Sequence, residues 1–241
     1  MARRVLVVDD EPEIRAVLRA YLEHDGFVVA EAGTGAEALR RTLATDGSAP
    51  DVVLLDIGLP DVGGLDVLRT IRRSSDVYVV LVTARADEVD TLVGLGAGAD
   101  DYVTKPFSPR EVVARVGTVL RRSAQRGAAP APADDGVLRF DGLTLDERRR
   151  EITVSGEEAH LSTLEFDLLR ALAASPGRVF SRAQLLEEVW GYDFYGDERV
   201  VDVHIRSLRR ALGDDAGDPR AIGTVRGVGY KFLLSPTEVP S

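Results

Sequence analysis

Polar side chains stand directly after several apolar runs in the first half of the chain, and their types suggest one kind of chemistry. They are Asp9, Asp10, Asp56, Thr83 and Lys105. Three carboxylates without histidine or cysteine suit a hard cation such as magnesium, which takes oxygen ligands and keeps several waters. Asp56 could attack a phosphoryl group while the metal and Lys105 neutralise the phosphoryl oxygens, and Thr83 could hydrogen-bond the product. Each residue alone could equally be a solvated loop residue or a helix cap, so the hypothesis requires that they converge.

A parallel sheet would bring these residues together. Val5–Val8, Val52–Leu55 and Val77–Val82 are short apolar runs typical of strands buried on both faces. Open α/β sheets place their chemistry at the carboxyl ends of the strands. Strands and helical periods alternate strictly, which predicts a (βα)5 doubly wound parallel sheet over residues 1–122. The other predicted elements are strands at Gly26–Ala30 and Asp101–Val103 and helices at Pro12–Leu22, Ala36–Leu43, Leu65–Ile71, Asp87–Leu95 and Ser108–Arg121.

The composition suggests a soluble, cytoplasmic protein of two domains. The chain has 241 residues, of which 44% are hydrophobic, and this suffices for two cores. It has no cysteine, which excludes disulfides and thiolate metal sites and fits a reducing cytoplasm. No apolar run approaches the ~20 residues that span a bilayer, and the run before Asp9 is too short for a signal peptide. With a net charge of −10, a nucleic-acid role would need a local positive stripe.

Residues 123–136 have no apolar period and contain two prolines, which predicts a flexible linker. Beyond it, short strand candidates separated by turns suggest a small antiparallel sheet; they are Val137–Phe140, Leu143–Leu145, Glu151–Val154 and His160–Leu161. Capping boxes at Ser162–Glu165 and Ser181–Gln184 each predict the start of a helix. A third helix is predicted from Arg199 to Leu212, with Gly213 as its stop.

The third helix carries a stripe of arginines beside a small apolar residue. Its members are Arg199, Val203, Arg206 and Arg210, with Ser207 next to them. This pattern would suit a major groove, because guanidinium groups bind phosphates or guanine edges and a valine can contact a thymine methyl. An ordinary solvated helix face is the alternative. A predicted hairpin at Thr224–Phe232 favours the DNA interpretation, since Arg226 near its tip could reach an adjacent minor groove.

Residues 1–122 resemble the receiver domain of bacterial two-component response regulators. The resemblance implies that Asp56 is the phosphoacceptor, that Asp10, Asp56 and the carbonyl of Gly58 ligate magnesium, and that Asp9 is close by through water. The motifs that carry it are Val7-Val8-Asp9-Asp10-Glu11-Pro12, Leu54-Leu55-Asp56-Ile57-Gly58-Leu59-Pro60, Val82-Thr83-Ala84-Arg85, Gly98-Ala99-Asp100-Asp101-Tyr102 and Lys105-Pro106-Phe107.

The same resemblance implies how the domain would switch. Thr83 and Tyr102 would form the switch pair, and the peptide bond between Lys105 and Pro106 would be cis, a geometry that proline permits. Gly58 departs from the family because it lacks the side chain that often tunes dephosphorylation at that place. The lifetime of the phosphoryl group therefore cannot be copied from relatives.

A homodimer formed on phosphorylation is a further implication, through the face from the fourth helix to the last. Its candidates are Leu92, Leu95 and Val113 as an apolar centre and two cross-subunit ion pairs, Asp101 with Arg115 and Asp100 with Arg122. Thr91 stands where a basic residue is usual, so Glu111 is expected to lack its partner. Because exposed ion pairs are each worth only about 0–1 kcal/mol, this loss should weaken the dimer without abolishing it.

Residues 137–234 resemble the winged-helix effector domain of OmpR/PhoB-type regulators. The helix from Arg199 would be the recognition helix, Arg226 would lie in the wing, and Gly191–Glu198 would be a loop that meets RNA polymerase. Ser207 stands where a basic residue is common, so the base preference is open. Residues 235–241 are predicted to form a disordered tail. The motifs are Leu164-Glu165-Phe166-Asp167-Leu168-Leu169, Leu185-Leu186-Glu187-Glu188-Val189-Trp190, Arg199-Val200-Val201-Asp202-Val203-His204-Ile205-Arg206 and Val225-Arg226-Gly227-Val228-Gly229-Tyr230-Lys231-Phe232.

Together these resemblances predict a transcriptional regulator that binds tandem half-sites on double-stranded DNA after a sensor histidine kinase phosphorylates Asp56. Such a receiver assists only its own phosphorylation and dephosphorylation and is not otherwise an enzyme. One alternative is a constitutive DNA-binding protein whose receiver serves dimerisation alone. Another is a phosphatase with an aspartyl-phosphate intermediate; Gly58 argues against it, since such enzymes usually carry a second acid at that place.

Overall fold

The computed structural model of the chain describes residues 3–83, 96–126, 136–191 and 198–237. The chain divides into two compact units, Met1–Gly127 and Ala128–Ser241. The first unit contains one sheet and the second contains two, each with helices of its own.

The first unit is a five-stranded parallel sheet with the strand order β2-β1-β3-β4-β5. This architecture confirms the predicted doubly wound fold. The predicted helix at Asp87–Leu95 lies outside the described residues. The strands are β1 (Arg4–Val8), β2 (Val28–Ala32), β3 (Val52–Asp56), β4 (Tyr78–Thr83) and β5 (Asp101–Thr104), and the helices are α1 (Pro12–His24), α2 (Gly35–Thr42), α3 (Gly64–Arg72) and α4 (Pro109–Arg126).

The apolar runs lie at the centre of this sheet, as their composition predicts. All residues of β3 and β4 are buried, because strands flanked by neighbours and covered by helices have no solvent face. Helix α1 has Pro12 at its first turn, where the missing N–H costs no hydrogen bond, and it buries Leu18 and Leu22. Helix α3 buries Val67, Leu68 and Ile71.

The second unit contains two antiparallel sheets and three helices. One sheet has the order β6-β7-β8-β9 and the other β10-β12-β11. The strands are β6 (Val137–Phe140), β7 (Leu143–Asp146), β8 (Glu151–Val154), β9 (Glu157–Ala159), β10 (Val179–Ser181), β11 (Ile222–Val225) and β12 (Gly229–Phe232), and the helices are α5 (Thr163–Ala173), α6 (Arg182–Trp190) and α7 (Arg199–Leu212).

The helix boundaries of the second unit agree with their sequence signals. Both predicted capping boxes form: Ser162 accepts from the N–H of Glu165, and Ser181 accepts from the N–H of Gln184. Helix α7 ends at Gly213, whose φ of 63° lies in the left-handed region that favours glycine. These caps fix where each helix begins and ends.

The last strand of the four-stranded sheet is not where the sequence predicted it. The structure places β9 at Glu157–Ala159 instead of His160–Leu161. Ser155 and Gly156 both have positive φ, at 54° and 85°, and form the two-residue turn of a tight hairpin with β8. The chain then leaves the sheet to reach the cap of α5, so residues 160 and 161 cannot continue the strand.

Regular backbone structure extends into two segments for which irregular structure was predicted. Helix α4 continues to Arg126, past the predicted start of the linker at residue 123. The tail predicted to be disordered from residue 235 begins with an ordered contact: Pro236 forms a β-bridge with Phe140, and the N–H of Thr237 donates to the carbonyl of Arg139 at 2.9 Å. Backbone pairing with the edge strand β6 therefore holds the chain up to Thr237.

The loop that follows β3 is anchored to the N-terminus of α2. The carboxylate of Asp61 accepts from the N–H of Gly35 at 2.7 Å and from the N–H of Ala36 at 3.0 Å. Together with the N–H of Val62, these donors lower the pKa of Asp61. A Cβ at Gly35 would collide with the carbonyl of Val62, so glycine permits this close approach. The anchor fixes the loop that leads away from Asp56.

Replacing Asp61 by alanine should loosen this loop. The amides of Gly35 and Ala36 would lose their acceptor at a helix N-terminus, where no intrahelical partner can replace it. We expect their hydrogen exchange to become several-fold faster, as measured by NMR at each amide. Asp66→Ala is the control, because Asp66 lies exposed on α3 and pairs there with Arg69 of the same helix. Unchanged exchange at Gly35 and Ala36 would show that the anchor contributes nothing to the order of the loop.

Candidate functional site

Three carboxylates form an acidic cluster at the carboxyl end of the parallel sheet. Strands β1 and β3 are neighbours with Val8 opposite Leu55, so the residues that follow them meet at one edge. One oxygen each of Asp9, Asp10 and Asp56 lies within 4.8 Å of the others. Asp9 is 1% and Asp56 5% exposed, whereas Asp10 is exposed. The structure thus brings the predicted carboxylates together.

Lys105 provides the positive charge beside this cluster. Its Nζ lies 2.7 Å from Asp9 Oδ2, 3.4 Å from Glu11 Oε1 and 3.5 Å from Asp56 Oδ1. Burial disfavours the ammonium form, but the hydrogen bond to Asp9 and the charges of Asp56 and Asp9 outweigh it and raise the pKa of Lys105. The Lys105 side chain therefore stays protonated, and its charge is shared among Asp9, Glu11 and Asp56.

Asp56 itself lies in a setting that resists ionisation. Burial raises its pKa, and the charge of Asp9 adds to this, while Lys105 and the N–H of Gly58 act in the opposite direction. The Gly58 N–H donates to Asp56 Oδ2 at 2.9 Å. A second cation would stabilise the carboxylate form that a nucleophile needs.

The two predicted switch residues lie on neighbouring strands. Thr83 ends β4 and is 2% exposed, and its carbonyl accepts from the N–H of Lys105 at 2.7 Å. Tyr102 lies in β5 and is partly exposed. The peptide bond after Lys105 is cis, as predicted. Coupling between Thr83 and Tyr102 stays a prediction.

Arg15 is a member of the site that the sequence analysis missed. Its Nη1 donates to the carbonyl of Asp9 at 2.7 Å and to that of Asp10 at 3.1 Å, and its Nε lies 3.3 Å from Glu31. It therefore holds the backbone of the loop that carries both acids. No sequence signal sets it apart, since an arginine in the first turns of an amphipathic helix is normally a solvated side chain.

The donor set fits magnesium. Carboxylate oxygens from three residues, one of them exposed, suit a small hard cation that keeps part of its water shell. The convergence of like charges at a buried edge gives the cation a further role, because it would relieve their repulsion. The described residues thus fit both parts of the predicted chemistry, a metal site and a carboxylate nucleophile beside a lysine.

Asp100, a predicted dimer-face residue, has partners within its own chain. This residue is fully buried, and its carboxylate accepts from the guanidinium of Arg72 and from the N–H of Val79, the latter at 2.7 Å. Within one chain the carboxylate is thus enclosed in its own domain, and its pairing with Arg122 of a second subunit stays a prediction. Asp101, also buried, pairs with Arg115 of the same chain at 2.8 Å.

Glu111 has an ion-pair partner within its own chain, while the loss of its cross-subunit partner stays a prediction. Its Oε1 lies 2.9 Å from Arg115, one helical turn further along α4. Val113 is partly buried on the same helix. The predicted dimer-face residues Leu92 and Leu95 lie outside the described residues, as do Thr91 and the side chain of Arg122.

In the second unit, α7 presents the predicted arginine stripe. Arg199, Arg206 and Arg210 are exposed, and Val203 is partly exposed. Ser207 is corrected: it is only 9% exposed, and its hydroxyl accepts from Arg210 at 3.1 Å, because this position turns toward the core. The serine thus positions an arginine rather than presenting its own hydroxyl.

The predicted wing forms as a hairpin of β11 and β12, and Arg226 is exposed in the turn between them. Arg209, which the stripe does not include, is buried and joins this hairpin to α7. It donates to the carbonyl of Ile222 at 2.6 Å and to Thr224 Oγ1 at 2.8 Å. The helix and the wing are therefore held together as one surface.

The two folds and their sites define the class: a receiver-type α/β domain joined to a winged-helix domain. Residues 5–117 match the family described as "Response regulator receiver domain", and residues 156–232 match "Transcriptional regulatory protein, C terminal". The chain belongs to the two-component response regulators of the OmpR/PhoB type. None of the helices in the described ranges combines the length and apolar composition that crossing a bilayer needs.

Relatives and solved structures agree over nearly the whole chain. It is 45% identical over 231 residues to the DNA-binding response regulator MtrA of Mycolicibacterium smegmatis, covering 96% of this chain and 97% of the relative. It is 44% identical over 228 residues to the sensory transduction protein RegX3 of the same organism, covering 95% and 98%. A mutant of RitR matches with a TM-score of 0.79 at 28% identity, covering 97% of this chain and 100% of that structure.

The raised pKa of Asp56 predicts that Asp56→Asn stabilises the metal-free protein. Above the folded pKa, the ionised carboxylate destabilises the native state relative to the unfolded chain, where its ordinary pKa is 3.8. In EDTA at pH 7 we expect the variant to melt a few degrees higher, and the difference should vanish as the pH falls toward 3.8. Thermal unfolding followed by circular dichroism measures this.

Magnesium should reverse the order, because it stabilises the native wild type and the variant lacks one ligand. Asp66→Asn is the control, because Asp66 is exposed to solvent. The melting temperature of this variant should differ little from that of the wild type in either EDTA or magnesium. Equal melting of wild type and Asp56→Asn in EDTA would contradict the assignment of Asp56 as a destabilised carboxylate.

Proposed function

We propose that the chain is a phosphorylation-dependent transcriptional regulator in the bacterial cytoplasm. The observation that carries this proposal is the acidic cluster with Lys105 in one unit and an exposed arginine stripe on a helix in the other. The phosphoryl group would come from a phosphohistidine of a sensor kinase. The Asp56 carboxylate forms the new O–P bond as the N–P bond to histidine breaks.

Each residue of the cluster has a role in this transfer. Asp10, Asp56 and the Gly58 carbonyl would hold magnesium, with Asp9 close by through water, and the ion would neutralise charge on the transferring oxygens. Lys105, 3.5 Å from Asp56, stabilises the same oxygens. The receiver thereby assists its own phosphorylation and the later hydrolysis, and has no other substrate.

Phosphorylation would then change the shape of the receiver. A phosphoryl group adds about −1.5 to −2 charges and three acceptor oxygens beside the end of β4. The Thr83 hydroxyl donates to it, and Tyr102 turns inward into the space that Thr83 leaves. A small population of dimers already exists before phosphorylation. The phosphoryl group increases this population to the extent that it stabilises the dimeric state more than the monomeric state.

The dimer would deliver two effector domains to DNA. Helix α7 enters the major groove with Arg199, Val203, Arg206 and Arg210, and Arg226 reaches the minor groove. Two copies occupy tandem half-sites, since the linker frees them from the receiver symmetry, and Gly191–Glu198 meets RNA polymerase. The exposed charge and the wing on one surface support this assignment.

The switch is tested by sedimentation velocity of the full chain with magnesium, before and after addition of beryllofluoride, a mimic of the aspartyl phosphate. We expect a shift from monomer to dimer, because the mimic favours the dimerising face. Asp56→Ala is the matched variant and should show no shift. An unchanged wild-type sedimentation coefficient would contradict activation by dimerisation, and an equal shift in Asp56→Ala would contradict the acceptor assignment.

The DNA surface is tested with a duplex enriched from a random pool by the beryllofluoride-treated wild type. Arg206→Ala should weaken binding about tenfold in fluorescence anisotropy, since a lost base or phosphate contact costs ~1–3 kcal/mol. Arg149→Ala is the control, because Arg149 is equally cationic but lies in the β7–β8 turn beside Glu151. Equal affinities of the two variants would contradict the proposal that α7 contacts DNA.

A further inference from the structure

The arginine stripe of α7 contains one acid that a DNA-binding face should avoid. Asp202 comes three residues after Arg199 and four before Arg206, so all three lie on one face of the helix. Its side chain is 40% exposed. A bare carboxylate at this place would repel the phosphates that the arginines attract.

The carboxylate of Asp202 is held by two donors from other elements. Arg182 Nε lies 2.7 Å from Asp202 Oδ1, and the Tyr230 hydroxyl donates to the same oxygen at 2.6 Å. Arg182 is the first residue of α6, and Tyr230 lies in β12 of the wing. Asp202 is thus the point at which both helices and the wing meet.

The geometry keeps these donors in place. The Arg182 guanidinium lies 5.3 Å from the centre of the Tyr230 ring, within range of a cation–π contact. Burial and the hydrogen bond to Asp202 raise the pKa of Tyr230 to about 12, so its hydroxyl remains a donor at physiological pH. Arg182 is 27% exposed, which leaves it near the surface that the stripe presents.

We propose that Arg182 is a positioning residue for DNA binding that acts through Asp202: it offsets the one negative charge of the recognition helix. This inference rests on the proposed DNA-binding function. It assigns Arg182 a role through the carboxylate and not through a phosphate of its own. Asp202 becomes harmful only when its partner is removed.

A double-mutant cycle separates these two roles. Using the enriched duplex and full-length, beryllofluoride-treated protein, we expect Arg182→Ala to weaken binding about 5- to 10-fold, the effect of one uncompensated charge near phosphates. Asp202→Asn in the same chain should restore affinity to within about twofold of wild type. Asp202→Asn alone should bind as well as wild type or more tightly. Arg178→Ala is the control, because Arg178 is an exposed arginine that lies over the ring of Phe180 and has no acidic partner among the described residues.

Other outcomes would overturn the inference. One such outcome is that Arg182→Ala weakens binding and Asp202→Asn does not restore it. If the slope of log K against log salt concentration also becomes less steep by about 0.9, Arg182 contacts a phosphate directly. If Arg182→Ala binds like wild type, the pair has no role. Failure of the wild type to bind any duplex would instead overturn the proposed function.

A second variant guards against misfolding of Arg182→Ala, which thermal unfolding would reveal. Tyr230→Phe keeps the ring and removes only the hydroxyl from Asp202. It should weaken binding by a smaller factor, and Asp202→Asn should again suppress the loss. A loss that persists in the double variant would contradict action through the carboxylate, because a purely structural defect does not depend on the charge at position 202.

Discussion

The crowding of carboxylates at one edge of the parallel sheet is the constraint on which the receiver depends. Neighbouring strands β1 and β3 place Asp9 and Asp56 together while both are almost fully buried. Lys105 offsets part of this repulsion but is divided among three acids at 2.7–3.5 Å. The resting site is therefore electrostatically incomplete, and it gains stability from an additional cation or from neutralisation of Asp56.

Asp202 in the effector domain shows the opposite solution to a similar problem. Its single carboxylate has two dedicated donors, Arg182 and Tyr230, and no competing acid is among their partners in the described contacts. A shared cation such as Lys105 can change partner when a phosphoryl group arrives, whereas a dedicated pair holds three elements in one arrangement. The first arrangement suits a switch and the second suits a rigid binding surface.

Local sequence signals predicted most of the fold and the cluster. Buried apolar runs and capping boxes give strands and helix starts because their causes are local, and the parallel topology then dictates that Asp9, Asp10 and Asp56 converge. The failures have long-range causes. Arg15 and Arg209 look like solvated helix arginines until tertiary packing supplies backbone carbonyls for them. Ser207 lies at the border of the exposed face of its helix, and residue spacing alone does not decide whether such a position is buried.

The sequence does not show which acid each arginine pairs with, and this pairing matters for the proposed dimer. Asp101 and Arg115 are 6% and 11% exposed at the side chain, and they pair within one chain. Removing one partner of a buried pair costs about 3–5 kcal/mol, whereas an exposed pair contributes about 0–1 kcal/mol. A dimer that used Arg115 across subunits must therefore supply Asp101 with a new cation in the same step. Reciprocal exchange between two identical chains meets this requirement, because each subunit donates the arginine that the other loses.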